Sequence, residues 1–206
     1  MPPAVLLPLA EGDARDDDVT LTVAWLSPAR ADRAVAALVA EVPWRQDTIT
    51  LLGRPVLQPR LSAWLGEEDA VYTYSGLTLA PAPWTPEVRA LRDLARDATG
   101  EAFDSVLLNL YRDGNDSMGL HADDEPELGP SPCIASVSLG ATRAFVLKPK
   151  RKKSGVAPIR VELPHGSLLV MRGATQRHWV HGVPKQPRIT APRINLTFRR
   201  IVPRAP

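Results

Sequence analysis

The second half of this 206-residue chain is predicted to be a succession of short β-strands. Turn residues separate the strand-like segments at short intervals, and no run with a helical period interrupts them. The predicted strands cover residues 105–111, 133–139, 143–148, 159–163, 167–171, 178–183 and 193–200. This pattern predicts an antiparallel sandwich or a rolled barrel.

The pattern of residues 1–100 predicts a strand and two helices, and the helices are expected to cover a sheet. Residues 19–25 alternate between hydrophobic and polar, as a strand does. Ser27 is the expected N-cap of a helix that starts with a proline and ends at Val42. A second helix follows Thr85 and ends at Gly100, a residue that suits a helix C-terminus. Because both helices are amphipathic, we expect them to pack on the sheet.

The composition is ordinary for one globular domain, with 44% hydrophobic and 23% charged residues. The 21 prolines fit a β-rich body with many loops better than a helical bundle. Cys133 is the only cysteine, which excludes an intrachain disulfide and favours a reducing compartment. The apolar N-terminal stretch has no preceding basic residue and is followed by acidic residues. We therefore expect neither a secretory signal nor a membrane span, and a cytoplasmic location.

Two histidines and one aspartate are candidate metal ligands. His121 and Asp123 are two residues apart, so on an extended segment they project to the same side and can bind one ion. The third ligand must come from a distant strand on the opposite wall of a curled sheet, where both His178 and His181 lie. These two histidines point to opposite faces of a strand, and the spacing alone does not choose between them. Such a ligand set can hold a ferrous ion and leave positions open for a co-substrate and oxygen.

Three polar residues near the C-terminus are expected on one strand face. Arg193, Asn195 and Arg199 share this face, and hydrophobic residues form the other. Two buried guanidinium groups are costly without anions, and a dicarboxylic acid fits them because each arginine can bind a carboxylate through two hydrogen bonds. The alternative is an edge strand with a solvated basic face. The presence of candidate metal ligands favours the dicarboxylate.

Several longer segments occur in a fixed order between about Pro59 and Arg199. They are PRLSAWLGEE, VYTYSGLTLAPAPW, LNLYRDGNDSMGLHADDE, IASVSLGATRAFVL, HGSLLVMRG, HWVHGVPK and APRINLTFR. With these segments the chain resembles the AlkB family of iron(II)- and 2-oxoglutarate-dependent nucleic-acid dealkylases, and in particular its double-strand-competent animal branch. The resemblance implies a mainly β fold, a double-stranded β-helix or jelly roll, with N-terminal helices covering one sheet.

The expected organisation is a loose N-terminal segment over residues 1–18 followed by a single dioxygenase domain over residues 19–206. Within that domain, residues 19–100 are expected to form a helical part with a nucleotide-recognition lid. Residues 101–206 are expected to form the β-helix core.

The resemblance also implies roles for individual residues. Iron is expected on His121, Asp123 and His181, which selects the second histidine of HWVH. The residues expected around 2-oxoglutarate are Asn109, Tyr111, Arg193, Asn195 and Arg199. The residues expected beside the damaged base are Tyr74, Asp124 and Glu125.

The implied reaction is the oxidative demethylation of N-alkylated bases in DNA. Its substrates are 1-methyladenine, 3-methylcytosine and, by extension, etheno adducts, and its co-substrates are 2-oxoglutarate and O2, with formaldehyde released. Because 1-methyladenine and 3-methylcytosine are cationic, we expect Asp124 to favour them by charge. The alternatives are an oxygenase that acts on RNA, a protein or a small molecule, and a noncatalytic nucleic-acid reader. We expect a monomer.

A run of basic residues is a candidate contact for the nucleic-acid backbone. Its members are Lys148, Lys150, Arg151, Lys152 and Lys153. A solvated hairpin tip is the alternative reading of such a run. The formal net charge of +2 permits a polyanionic partner without requiring one. We expect alkylated DNA as the partner, in the nucleoid if the chain is bacterial and in the nucleus if it is eukaryotic.

Overall fold

The computed structural model describes residues 2–7, 9, 17–51, 53–70, 72–74, 77–151 and 156–202, without the side chains of residues 17, 50, 51, 72–74 and 77–79. The helices of this part are Pro28–Glu41 (α1), Pro86–Thr99 (α2) and the short Thr175–His178 (α3), with a 3-10 turn at Pro126–Leu128. The strands are Val5–Leu6 (β1), Asp17–Thr22 (β2), Thr48–Leu51 (β3), Arg54–Leu57 (β4), Leu61–Gly66 (β5), Tyr72–Tyr74 (β6), Leu77–Leu79 (β7), Ser105–Tyr111 (β8), Met118–His121 (β9), Ile134–Gly140 (β10), Arg143–Pro149 (β11), Ile159–Leu163 (β12), Ser167–Gly173 (β13), Trp179–Val183 (β14) and Arg193–Arg199 (β15).

Two antiparallel sheets form the body of the molecule. The major sheet has the strand order β1-β2-β13-β10-β15-β8-β5, and the minor sheet has the order β12-β11-β14-β9. From β8 onward the chain passes repeatedly between the two sheets, so strands that pair are mostly distant in sequence. This is the connectivity of a double-stranded β-helix, or jelly roll. The prediction of a mainly β fold in antiparallel sheets is confirmed.

The two long helices begin and end close to where the sequence predicts. The Ser27 side chain accepts a hydrogen bond from the Arg30 backbone N–H at 3.4 Å, and Thr85 does the same for Val88 at 3.4 Å. Gly100 ends α2 in the left-handed conformation with φ +74°, which glycine adopts without a steric penalty. Helix α1 contacts β10 and α2, so the helical layer lies against the major sheet.

The hydrophobic core has two main layers. One lies between the helices and the major sheet, and includes Leu38, Leu91, Val137 and Leu196. The other lies between the two sheets and joins Leu169 of the major sheet to Phe145 and Trp179 of the minor sheet. Because each of these side chains is almost fully buried, the two layers pack the helices on the major sheet and the two sheets face to face.

Several details differ from the sequence predictions. Strand β9 is not predicted, because its central residues are exposed and show no alternation; Leu120 is 51% exposed. Val5–Leu6 pairs with β2 although a loose segment is expected there. Strand β14 begins at Trp179, because His178 ends the turn of α3. Within the described ranges no helix has the length and apolar character that crossing a membrane requires.

Candidate metal centre

The minor sheet brings the predicted metal ligands together. Strand β9 pairs with β14 so that His121 lies directly opposite His181, and Asp123 follows two residues after His121. One ligand atom from each of these three residues lies within 4.8 Å of the other two. His181, and not His178, joins this group among the described residues. The cross-strand pairing therefore makes the choice that spacing alone leaves open.

The ligand atoms face one another. His121 Nε2 lies 3.8 Å from Asp123 Oδ1, and His181 Nε2 lies 3.8 Å from Asp123 Oδ2. His121 Nδ1 contacts the Gly119 carbonyl oxygen at 2.9 Å, which holds the ring and leaves the Nε2 lone pair for a metal. The ring of Phe145 stacks on His181 with centroids 5.3 Å apart. Both imidazoles are thus oriented before any ion binds.

Burial and charge set the protonation of the centre. Burial acts to raise the pKa of Asp123, but the electrostatic interactions with Arg199, His181 and His121 and the hydrogen bond from Arg199 outweigh it and lower that pKa to about 2. Burial, followed by the charge of His121, lowers the pKa of His181 to about 3. At neutral pH the site therefore holds a carboxylate and a neutral imidazole, which are the forms that bind metal.

Two buried side chains hold Asp123. Arg199 Nη2 donates to Asp123 Oδ1 at 2.7 Å, and both side chains are only 3% exposed. The Asp123 backbone N–H donates to Gln176 Oε1 at 3.0 Å. The sequence predicts Arg199 on the co-substrate, whereas the carboxylate that it contacts in the structure is that of Asp123. Gln176 is missed altogether, because its partner lies 53 residues away and nothing local marks it.

Arg193 is a buried cation, and some of its hydrogen-bond donors have no acceptor among the described residues. It is 1% exposed, its Nη2 donates to Ser138 Oγ at 2.8 Å, and its guanidinium lies 5.2 Å from the ring centroid of Tyr111. Burial lowers its pKa, and the neighbouring Tyr111 opposes this effect. Its Nε and Nη1 atoms are buried without a hydrogen-bond partner among the described residues. Such donors are costly unless an anion binds them.

The other predicted co-substrate residues are held by polar neighbours. Arg60 Nε donates to Asn109 Oδ1 at 2.6 Å, which leaves the amide nitrogen of Asn109 as its donor. Asn195 Nδ2 donates to Ser136 Oγ at 2.9 Å. Arg60 is buried and is missed by sequence reasoning, since it lies in a loop ahead of β5 and contacts a residue 49 positions away.

A pocket between the two sheets gathers most of the predicted residues. The predicted residues that line it are Asn109, Tyr111, His121, Asp123, His181, Asn195 and Arg199. Arg193 does not line the pocket itself, but it contacts Tyr111, which is a lining residue. The structure thus brings the metal and co-substrate candidates into one place.

The residues present fit a divalent cation next to a carboxylic acid. Asp123 Oδ2 is buried and has no hydrogen-bond partner in the described part of the chain, so its lone pairs stay available to a cation. Two imidazoles and one carboxylate on one side of an ion are the donor set of non-haem Fe(II) oxygenases. The unsatisfied donors of Arg193 fit an anionic carboxylate.

The residues predicted to contact the base lie partly at the entrance to this pocket. Asp124 is exposed and its Oδ2 accepts a hydrogen bond from Lys150 Nζ at 2.7 Å. Glu125 Oε2 is removed from solvent and has no hydrogen-bond partner among the described residues. Tyr74 ends β6, and its side chain is outside the described part of the structure.

The basic run begins on β11 and continues beyond it. Lys148 and Arg151 are exposed, and the Lys150 backbone N–H donates to the His178 carbonyl oxygen at 2.8 Å. Lys152 and Lys153 lie outside the described residues. The described part of the run therefore extends the minor sheet next to α3.

Comparisons with known proteins identify the family of the chain. Residues 18–199 match the family described as the 2OG-Fe(II) oxygenase superfamily. The chain is 46% identical to the human alpha-ketoglutarate-dependent dioxygenase alkB homolog 3 over 180 residues, which cover 84% of this chain and 62% of that protein. It is 43% identical to the mouse DNA oxidative demethylase ALKBH2, over 85% of this chain and 77% of that protein. The chain thus spans less than two thirds of the human relative.

Solved structures share the fold at lower identity. The structure of OsALKBH1 superposes with a TM-score of 0.63 at 21% identity, over 88% of this chain and 97% of that one. A 2OG-Fe(II) oxygenase family oxidoreductase from Burkholderia pseudomallei superposes with a TM-score of 0.57 at 15% identity, over 88% of this chain and 84% of that one. These likenesses support the jelly-roll fold.

Proposed function

The chain belongs to the 2OG-Fe(II) oxygenase superfamily and, within it, to the AlkB family, and on this premise we propose that it repairs DNA by removing alkyl groups oxidatively from base nitrogens. Its substrates are 1-methyladenine and 3-methylcytosine and, by extension, etheno adducts. For the methylated bases, Fe(II) with 2-oxoglutarate and O2 as co-substrates would supply the oxidation of the N-methyl group, and succinate, carbon dioxide and formaldehyde are the products. The base returns to its unmodified form.

His121, Asp123 and His181 hold the iron in this proposal. Their Nε2 and carboxylate atoms already converge, so little reorganisation is needed on binding. Arg199 fixes the carboxylate of Asp123, and Gln176 fixes its backbone. These three residues would bind the ion from one side and would leave its other side to the co-substrates.

Arg193 holds the far carboxylate of 2-oxoglutarate. The support is its buried guanidinium with two unpartnered nitrogens, beside a pocket that also presents Asn109, Tyr111 and Asn195. We assign these three residues to the same co-substrate, and Arg199 to the junction between co-substrate and metal ligand. A carboxylate would neutralise Arg193 and satisfy donors that are otherwise costly to bury.

Asp124, Glu125 and Tyr74 read the extruded base. A base methylated at adenine N1 or cytosine N3 is cationic and cannot form its normal pair, so it is attracted to a carboxylate and is easier to flip out. The unpartnered Glu125 Oε2 supports the assignment, since a base amino group can donate to it. Tyr74 contributes an aromatic face for stacking.

The basic run contacts the phosphates. We assign this role to Lys148, Lys150, Arg151, Lys152 and Lys153. The chain acts on alkylated DNA as a monomer, in the cytoplasm or nucleoid of a bacterium or in the nucleus of a eukaryote. Binding through several phosphates is expected to weaken steeply with added salt.

One observation carries the proposal: the convergence of His121, Asp123 and His181 in a pocket that Arg193 adjoins. The test is a panel of oligonucleotides that carry 1-methyladenine, 3-methylcytosine or 1,N6-ethenoadenine in single-stranded DNA, duplex DNA and RNA. Succinate, formaldehyde and unmodified base are measured together. We expect equimolar succinate and formaldehyde with the methylated DNA substrates, and neither product with Asp123→Ala.

Other outcomes separate the alternatives. Turnover of the RNA substrates alone would replace DNA repair by RNA demethylation. Succinate without any repaired base would point to a protein or small-molecule substrate. Tight binding of the alkylated strands without any product in the presence of Fe(II), 2-oxoglutarate and O2 would favour a noncatalytic reader.

A further inference from the structure

We propose that Asp124 and Lys150 form an exchangeable ion pair at the entrance to the metal site, and that a cationic base opens it by taking the place of the lysine on Asp124. The inference rests on the proposed function, because it names the substrate feature that this site selects, the positive charge of the base. Lys150 then has two roles in sequence: it pairs with Asp124 before the base binds, and its released ammonium group afterwards becomes available to a phosphate.

The topology brings the two side chains together across one strand. In the minor sheet β14 lies between β11 and β9, and His181 of β14 pairs with Leu147 on one side and with His121 on the other. Lys150 extends β11 at the end of the sheet where Asp124 follows β9, and the two side chains meet at 2.7 Å. The ion pair therefore bridges the two flanks of the strand that carries a metal ligand.

Neighbouring carboxylates in this segment have very different partners. Asp123 pairs with Arg199 at 2.7 Å, and both side chains are 3% exposed. Asp124 pairs with Lys150 at the same distance, but these side chains are 57% and 31% exposed. Water can replace either partner of the exposed pair, whereas the buried pair has no such substitute. Asp123 is thus fixed and Asp124 can change partner.

A lysine is well suited to be the exchangeable partner of Asp124. Its ammonium group is a compact, strongly hydrated charge on a flexible stem, and it makes no forked contact that must break in two places. The Lys150 backbone N–H is separately held by the His178 carbonyl oxygen at 2.8 Å. The side chain can therefore leave Asp124 while the backbone stays in place.

The exchange discriminates between bases by charge. When a cationic base binds Asp124 and Lys150 moves to a phosphate, every charge keeps an opposite partner. A neutral base has no charge for Asp124, so the exchange leaves the carboxylate unpaired and is disfavoured. Lys150 acts as a competitor that only a cationic base can displace, and this is a specificity device rather than a structural tether.

The test compares variants on a cationic and a neutral substrate in the same single-stranded oligonucleotide, carrying 1-methyladenine or 1,N6-ethenoadenine. The variants are Lys150→Gln, Asp124→Asn and the double variant. Arg160→Gln is the matched control, because Arg160 forms an exposed ion pair with Glu162 at 3.4 Å on strand β12. The measured quantity is the ratio of kcat/KM for the two substrates.

Lys150→Gln is expected to lower the cationic-to-neutral ratio about two- to fivefold, the size of an exposed ion pair, because a neutral base then breaks no ion pair and only the cationic base loses the phosphate contact of the released lysine. Asp124→Asn lowers the ratio below that of the wild type. In the Asp124→Asn background, Lys150→Gln no longer changes the ratio. Arg160→Gln leaves the ratio at the wild-type value.

Salt dependence gives a second readout. If Lys150 moves to a phosphate, Lys150→Gln reduces the slope of log Kd against log salt by about 0.7 for the cationic strand. A ratio equal to that of Arg160→Gln together with an unchanged slope would overturn the exchange and leave a fixed tether. If Asp124→Asn loses all activity, the comparison of Lys150→Gln with Arg160→Gln still decides between an exchangeable ion pair and a fixed tether. A wild-type protein that repairs neither strand contradicts the proposed function instead.

Discussion

Gln176 should tune the metal site through the backbone of Asp123. Its side chain is 2% exposed, and Oε1 accepts the Asp123 backbone N–H at 3.0 Å while Nε2 lies 3.4 Å from Met171 Sδ. Replacing it with methionine keeps the length and volume of the side chain but removes the acceptor. The Asp123 N–H is then left buried without a partner, which costs about 1–3 kcal/mol.

The cost divides between folding and metal binding. If the backbone around Asp123 keeps its position in the variant, the free energy of unfolding of the metal-free protein falls by about 1–3 kcal/mol. Where the segment shifts to reach water, Asp123 leaves its position opposite the two imidazoles and the metal affinity falls about 10- to 100-fold, as for other groups that orient metal ligands. That loss corresponds to about 1.4–2.7 kcal/mol. We expect both effects in part, and a clear loss of affinity.

The assay combines urea unfolding of the metal-free protein with anaerobic calorimetric titration of Fe(II) or Mn(II). Gln46→Met is the matched control, because Gln46 is an exposed glutamine ahead of β3 whose Nε2 donates to the Gln58 carbonyl oxygen at 2.8 Å. The control should lose some stability and keep its metal affinity. A Gln176→Met protein that binds metal as tightly as the wild type would refute a positioning role and leave Gln176 a purely structural residue.

Further predictions concern buried polar groups elsewhere in the fold. Arg193→Met should weaken 2-oxoglutarate binding by about 2–5 kcal/mol in a calorimetric titration without lowering the stability of the co-substrate-free protein, since it removes a buried cation with unused donors. Equal affinity in the variant would remove Arg193 from the co-substrate site. Arg143→Met should lower the free energy of unfolding by about 3–5 kcal/mol in urea, because Arg143 is 1% exposed and donates to the carbonyl oxygens of Asp113, Asp116 and Pro184 at 2.8–2.9 Å; a loss under about 1 kcal/mol would contradict this. Burial raises the pKa of the Cys133 thiol to about 11, so the thiolate is scarce at pH 8 and appears only as the pH approaches 11. Iodoacetamide should therefore modify the native protein far more slowly than the unfolded chain at pH 8, and equal rates would show an exposed thiol.

The sequence predicts the two long helices and most of the strands after residue 100, because their signals are local, but it predicts none of the strands β3 to β7. Ser27 caps α1 as predicted, α2 begins next to Thr85 as predicted, and the strands β8 and β12 have the predicted limits. Strand β9 escapes prediction because it is short and largely exposed, although it carries His121. Burial patterns reveal strands with fully buried residues, and none of the four residues of β9 is fully buried.

The site is predictable where one strand presents several side chains, and unpredictable where partners come from afar. The spacing of His121 and Asp123 and the face shared by Arg193 and Arg199 are visible in the sequence. The contacts of Asp123 with Gln176 and of Asn109 with Arg60 join residues 53 and 49 positions apart. No periodicity encodes such pairs, since they depend on how the two sheets are joined.

The most direct measurement of the central claim is the visible absorption of the anaerobic protein with Fe(II) and 2-oxoglutarate. If His121, Asp123 and His181 hold the iron beside the co-substrate, the wild-type protein develops a charge-transfer band that requires both additions. His121→Ala should fold normally by circular dichroism and show no band. Asp123→Ala also removes the buried partner of Arg199, so we expect it to be less stable, and the folded fraction should show no band. A wild-type protein without the band, or a folded Asp123→Ala protein with a band of full intensity, would contradict the assignment of this site.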